Sequence, residues 1–260
     1  SITAGTGVTL ESLNNNTGTI ALLSSGGING GSGTVLMRAA NYAFGGADRT
    51  ITTTGVLTIQ PDADENSFAS SFDNQYLNPV NVTGLTLGKS SNASAITLSR
   101  AISLSGPVSI YGGSIDVNAN ITANSGNILL DADTGSTLNQ SSTGILLDDA
   151  ITIETVTSGN LTLIGRSGDT GSGFDGIDAS SANTTTLRSA GNLTLQGYSY
   201  AASGSGRGVD LNNDVIAASG TVSMTGQHNT GATYALSLSG STSITAGTGV
   251  TLESLNNNTG

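Results

Sequence analysis

Cysteine and tryptophan are absent from these 260 residues, proline occurs only three times, and histidine and lysine once each, as His228 and Lys89. Without cysteine there is no disulfide framework and no thiolate metal site. That absence suits a long polypeptide exported unfolded, and equally a chain with no use for thiols. Charged residues make up 10% and aromatic residues 4%, with a net charge of −11. An acidic chain with one lysine repels a phosphate backbone and an anionic bilayer, so its charge disfavours nucleic-acid binding and binding to an anionic membrane surface. No run approaches the ~18 consecutive apolar residues of a membrane-spanning helix.

What is present is repetition. Residues 1–18, SITAGTGVTLESLNNNTG, return letter for letter as residues 243–260, an offset of 242. Residues 1–242 therefore read as one full period of a tandem array, and 243–260 as the start of the next copy, in an interior slice of a longer fibre or stalk. Glycine, 37 of 260 residues, is roughly twice as frequent as the ordinary ~7%. It precedes short aliphatic alternations again and again: GVTL from Gly7, GVLTI from Gly55, GNILL from Gly126, GNLTL from Gly159 and Gly191, GTVSM from Gly220. In Leu161-Thr162-Leu163 the leucines share one face, the period of two of a half-buried strand. Ser, Asn, Asp and Gly between the runs supply turn chemistry, and no segment keeps helical spacing over three turns.

Units of about 20 residues, loosely kept, with three short strands each and apolar residues inward, describe the coils of an all-β parallel β-helix. At about 4.8 Å per coil, a period of roughly a dozen coils advances roughly 55–60 Å. A chain of immunoglobulin-like sandwiches would require a period nearer 100 residues and an aromatic anchor, and fits less well. Residues 61–80 interrupt the rhythm with Pro61, Pro79, Phe68, Phe72 and four acids. They read as a protruding loop bracketed by prolines, or as a flap whose phenylalanines cover one side of the coil.

The runs GVLTIQP, SFASSF and VTGLTLGKSSNASAITLSRAISLSGPVSIYGGSIDVNANITANSGNILLDA resemble the repeat regions of giant bacterial filamentous-haemagglutinin-like adhesins, most densely over residues 50–135. The resemblance implies a right-handed β-helical rod at the bacterial cell surface, exported by a two-partner or related route and serving attachment or biofilm formation. The family's NPNG-type secretion signature has no counterpart here, Asn78-Pro79-Val80-Asn81 being no match. No binding residue carries over.

Chemistry has little to draw on. A Ser-His-Asp triad would have to use His228, which sits in the polar stretch TGQHNTG and reads as an exposed turn residue. A polysaccharide-acting site would need paired acids, for which Asp131 with Asp133, Asp148 with Asp149, and Glu154 are the candidates. A solvated acidic ladder is the plainer reading. For calcium, Asp62, Asp64, Asn66 and Asp73 occupy positions 1, 3, 5 and 12 of a DxDxN loop, but Ser67 replaces the glycine expected at position 6. GSGFDGID, residues 171–178, echoes the calcium-binding GGxGxDxUx nonapeptide once rather than in series. The N-x-[ST] triplets at Asn81, Asn92, Asn120, Asn160 and Asn192 are expected from composition alone.

These readings converge on a non-enzymatic structural segment of an extracellular fibre, with no catalytic, cofactor or metal residues assigned. Its partners are neighbouring identical repeats, and cell-surface glycans or like filaments. A self-assembling coat, using Phe68, Phe72, Tyr76 and Tyr111 as outward apolar donors, and a polysaccharide-acting enzyme are the alternatives.

Overall fold

The computed structural model describes residues 1–14, 17–23, 26–62, 65–132, 142–148, 150–169, 171–179, 183–201, 204–229 and 234–256. Among them there is no helix, and every strand pairing is parallel. The chain winds as a β-helix with three walls. The first wall is one ten-stranded sheet: β2 (Val8–Ser12), β5 (Val35–Ala39), β8 (Val56–Gln60), β11 (Gly84–Leu87), β14 (Val108–Tyr111), β17 (Ile128–Ala132), β20 (Leu161–Arg166), β23 (Leu193–Ser199), β26 (Thr221–His228) and β29 (Gly249–Asn256).

The second wall begins as the pair β3 (Thr19–Ala21) and β6 (Asn41–Ala43). It continues as a seven-stranded sheet of β9 (Phe72–Asp73), β12 (Ile96–Leu98), β15 (Ile115–Val117), β18 (Ile145–Leu147), β21 (Ile177–Ala179), β24 (Val209–Asn212) and β27 (Leu236–Ser239). The third wall comprises β1 (Ile2–Thr3), β4 (Ile28–Asn29), β7 (Arg49–Thr52) and β10 (Leu77–Val80). A six-stranded sheet of β13 (Ile102–Leu104), β16 (Ile121–Ser125), β19 (Thr152–Ser158), β22 (Thr186–Ser189), β25 (Val215–Ala218) and β28 (Ser243–Ala246) then takes over. In chain order, each of the first nine strands of the first wall is followed by one of the second and one of the third.

The core is a set of stacked aliphatic columns. On the first wall Val35, Leu57, Leu85, Val108, Ile128, Leu161, Leu193 and Val222 follow one another in register, each 2% exposed or less. Alternation is what builds this: with side chains on a period of two, one face of each strand turns into the column and the Thr/Ser/Asn face meets water. Each fully buried Leu or Ile contributes about 1.5–3 kcal/mol relative to exposure.

Val8 and Val250, the same residue of the 242-residue period, occupy the same ladder position on the first wall, nine coils apart. The period is thus nine coils rather than roughly a dozen, and advances about 43 Å at about 4.8 Å per coil, not 55–60 Å. Coil length runs from 20 residues (Val108 to Ile128) to 33 (Ile128 to Leu161). The 20-residue rhythm is that of the tightest coil, and the longer ones carry extra residues at the corners.

Residues 72–80 run within the walls. Phe72 and Asp73 form β9, and Leu77 to Val80 form β10, in register with β7. Pro79 lies in an edge strand of its sheet, where a missing N–H interrupts no ladder. Phe68 and Phe72, each 4% exposed, stack at 5.6 Å and meet the Tyr42 ring edge-on at 5.7 Å, with Phe44 beside them. This aromatic cluster fills the corner where the second wall passes from its two-stranded to its seven-stranded sheet. Large rings bury enough apolar area there to hold the segment in the wall, which favours the flap over the loop.

The corner between the first and second walls has a different solution. Gly165, Gly197 and Gly226 are aligned on β20, β23 and β26. A Cβ on Gly197 would lie 1.9 Å from the carbonyl oxygen of Gly208, and one on Gly165 would lie 2.0 Å from that of Gly176. Two backbones cross where no side chain fits.

Candidate functional site

Three strands of the second wall share a local pattern, aliphatic–Asp–aliphatic: Ile115-Asp116-Val117, Ile177-Asp178-Ala179, Val209-Asp210-Leu211. The aliphatic residues enter the core, which places the acids on the other face, in one row with Asp73 and Thr97. Two concentrations of charge result. In the first, Asp116 and Asp148 face a shared amide: with its nitrogen toward the acids, Asn118 donates to both, at 2.9 and 2.8 Å. The Asp116 carboxyl is held above its usual range, chiefly by burial, against the Asn118 hydrogen bond and with help from the charges of Asp148 and Asp73.

In the second, carboxylate oxygens of Asp175, Asp178 and Asp210 all lie within 4.8 Å of one another. Burial pushes the Asp175 carboxyl up to about 7, with the neighbouring Asp178 and Asp210 charges adding to the effect. The Arg207 backbone N–H, which donates to Asp175, and the Arg207 guanidinium act the other way. That guanidinium pairs with Asp210 through Nη1. One coil corner further, Asp214 is fully buried and accepts N–H bonds from Thr185 (3.0 Å) and Asn212 (2.9 Å). Burial nonetheless raises its carboxyl to about 6. Asp214 thus caps backbone groups, and Arg207 supplies inside the triad the positive charge that a cation would bring.

The residues singled out from the sequence scatter. Asp131 lies on β17 in the first wall, Glu154 on β19 in the third, and Asp148 directly after β18 in the second. Asp133 and Asp149 lie outside the described residues. No two described members of that set form a facing pair of acids, and Glu154 instead stands opposite Arg188 on the neighbouring strand. His228 is not an exposed turn residue: it ends β26, is 6% exposed, and its Nδ1 has no hydrogen-bond partner among the described residues.

The DxDxN reading also changes on folding. Asp62 is buried, and its carbonyl accepts from Lys89 Nζ at 3.3 Å, while the Glu65 carbonyl accepts from the same ammonium. Asp73 Oδ1 accepts the N–H of Gln75 at 2.9 Å. Asp64 lies outside the described residues. The lysine ammonium lies against the backbone of this loop.

Of the sequence candidates, only GSGFDGID reaches the acidic triad, through Asp175 and Asp178. Arg207, Asp210 and Asp214 were not singled out, although the repeated aliphatic–Asp–aliphatic triplet was a signal that could have pointed to Asp210. Compared with protein-family models, curated proteins and solved structures, the chain matches none.

Proposed function

We propose that this chain is a structural repeat segment of an extracellular, adhesin-like bacterial fibre or stalk that serves attachment to surfaces or cells, or biofilm formation. The observation that carries the reading is the phasing of sequence repeat and coil: 242 residues make nine whole turns, so a copy ends at the ladder position where the next begins. A period that closes on whole coils lets identical copies continue one another without a linker, as in a solenoid whose units contact only their neighbours. Reach then follows from copy number, stiffness from the ten-stranded first wall, and solubility from the acidic Ser/Thr/Asn surface. The residue resemblance supplies the bacterial cell surface, the right-handed winding and the attachment role.

The coat alternative loses two of its outward donors, because Phe68 and Phe72 are core residues. The enzyme alternative is not favoured by acids that lie on three different walls. Electron microscopy of a protein carrying several copies tests the reading. A slender unbranched rod with an axial repeat of about 43 Å, at about 4.8 Å per coil, is expected. Globular beads joined by linkers would overturn it. Attachment is tested separately, by adhesion of cells displaying the multi-copy fibre to glycan-coated and bare surfaces, with adhesion no better than that of undecorated cells as the contrary result.

A further inference from the structure

Two strand ladders stop inside the molecule, away from either end of the chain. Coil 3 is formed by β8, β9 and β10, and coil 4 by β11, β12 and β13. Among the described residues β10 pairs only with β7 of coil 2, and β13 only with β16 of coil 5. The third wall therefore has no ladder between coils 3 and 4. The second wall has its own gap one junction earlier, between β6 and β9. Only the first wall runs through both.

Proline is the cause in the third wall. Arg49 and Thr53 donate their backbone N–H groups to the carbonyls of Tyr76 and Val80, at 2.7 and 3.3 Å. Alternate residues of a parallel strand bond to opposite neighbours, so Tyr76, Asn78 and Val80 serve coil 2 and Pro79 falls on the side facing coil 4. There it has no N–H to give. The Ile102 N–H bonds the Asn120 carbonyl of coil 5, which leaves Ser103 on the facing edge of β13. Where a ladder would run, Asn81, Val82, Ser103, Leu104 and Ser105 border a hollow of about 570 Å³.

The two gaps are not equivalent. Between coils 2 and 3 the Tyr42, Phe44, Phe68 and Phe72 rings fill the second wall, and the Ala69 N–H donates to the Ala40 carbonyl at 2.8 Å. Between coils 3 and 4 the third wall is joined at one corner only. The buried Asn74 amide donates to the Arg100 carbonyl and accepts the Arg100 N–H, both at 2.9 Å. The Arg100 guanidinium then passes over coil 3 to Asp48 of coil 2, at 2.5 Å. Otherwise this junction has four paired residues on the first wall and two on the second, whereas the next junction has three on every wall.

We propose that the junction between coils 3 and 4 is a hinge, on which the chain bends by opening and closing the third wall, and that the Asp48–Arg100 ion pair is the strap that holds it closed. Opening takes least where the fewest backbone bonds and buried contacts must part, and the hollow removes both from this one face. The first and second walls keep their ladders on the opposite side and act as the axis. The strap's side chains are 30% and 54% exposed, so it is weak and screened by salt, and it yields rather than locks. If copies stack as proposed above, the hinge recurs once per period, about 43 Å apart. The hinge itself does not depend on that reading.

The test is electron–electron double resonance on the 260-residue chain, whose lack of cysteine lets spin labels be placed at will. The variant N78C/E154C labels β10 and β19, on either side of the hinge, and T122C/A217C labels β16 and β25, across complete junctions only. Both pairs are three coils apart, about 14 Å along the axis. Circular dichroism like that of the unlabelled chain checks the fold. The first distance distribution is expected to be at least about twofold wider than the second, as for a hinge beside a rigid body. Asp48→Ala should widen it further and leave the second unchanged. Equal widths overturn the hinge, and a first distribution indifferent to Asp48→Ala overturns the strap. Hydrogen exchange gives a reading without substitutions. The Phe72 and Asn74 N–H groups bond across the hinge, at 3.0 and 3.2 Å, and the Ile96 N–H bonds across the next junction at 2.9 Å. Exchange of the first two at least about tenfold faster than the third is expected, and equal protection overturns the hinge. Neither experiment involves attachment or a multi-copy rod.

Discussion

The side-chain oxygen of Asn160 accepts the backbone N–H of Asn192, one coil further along, at 2.8 Å. Asn127 does the same for Asn160 at 2.8 Å, and Asn192 for Thr221 at 2.9 Å. The three side chains form a ladder at the entry to the first wall, bonding groups that lie between coils. Asn160→Ala removes one rung at an exposed position where water can replace it, so a loss of about 0.5–1.5 kcal/mol is expected in urea unfolding. Asn92→Ala should cost more, about 2–3 kcal/mol, because Asn92 is fully buried and leaves groups that no water reaches. Its amide donates to the Tyr111 carbonyl at 2.9 Å and accepts from Phe68 N–H at 3.2 Å. Equal losses at the two sites would contradict this account. The same burial predicts that Asn92 stays unmodified in a host that glycosylates N-x-[ST], which mass spectrometry would read.

Gly197→Ala should be among the most damaging small substitutions. Its Cβ would meet a backbone oxygen at 1.9 Å, and neither crossing strand can shift without breaking its ladder. A loss of about 3 kcal/mol or more, or failure to fold, is expected. Gly46→Ala is the control, since nothing lies within 4 Å of the added carbon. Thermal unfolding of the two variants side by side decides the matter, and a tolerated Gly197→Ala would show that the corner is looser than described.

Acid should stabilise the protein over part of the range. Asp175 and Asp214 have carboxyls raised to about 7 and about 6 in the fold, against 3.8 unperturbed. Between about pH 4 and 7 the folded chain thus keeps protons that the unfolded chain has released, and stability falls as pH rises. Their contribution is fully present below about pH 4 and lost as pH passes 6 and then 7. Asp48 acts oppositely: its hydrogen bond to Arg100 holds its carboxyl below the usual range, so its contribution disappears in stronger acid. Melting at pH 5 should therefore exceed melting at pH 8. Asp175→Asn should flatten that slope and raise stability at pH 8, by on the order of 1–3 kcal/mol. A variant as pH-dependent as the wild type would remove Asp175 from the explanation.

The Arg207 guanidinium pairs with Asp210 inside the acidic triad, and its backbone N–H donates to Asp175. Melting curves with calcium and with a chelator are expected to superimpose in the wild type. Arg207→Ala leaves Asp175, Asp178 and Asp210 facing one another, and should cost about 2 kcal/mol at pH 8 and less at pH 5, where Asp175 is protonated. A calcium-dependent rise in the wild-type melting temperature would show that the guanidinium does not fill the role assigned to it.

Much of the fold was legible. Leu161-Thr162-Leu163 and Leu193-Thr194-Leu195 announce strands by alternation alone, and their adjacency on β20 and β23 follows from equivalent places in successive coils. The segment 61–80 was harder, because prolines and acids argue for a loop while Phe68 and Phe72 argue for a core, and sequence cannot weigh the two. The acidic triad was half legible. Asp175 and Asp178 lie three residues apart, but Asp210 reaches them only because one coil stacks on the next.

By itself the sequence determined the local chemistry and the order of the array: the strand period, the turn residues, the net charge of −11 and the 242-residue identity. Those properties depend on neighbours along the chain or on composition. Tertiary structure alone decided that the period closes on nine coils and that Gly197 lies against Gly208. It also placed His228 inside the wall, and Arg207 beside the acids. Each of these is set by how long the corners are and which coil lies above which. That is a matter of packing between residues about 20 to 33 positions apart, for which the one-dimensional pattern carries only a loose rhythm.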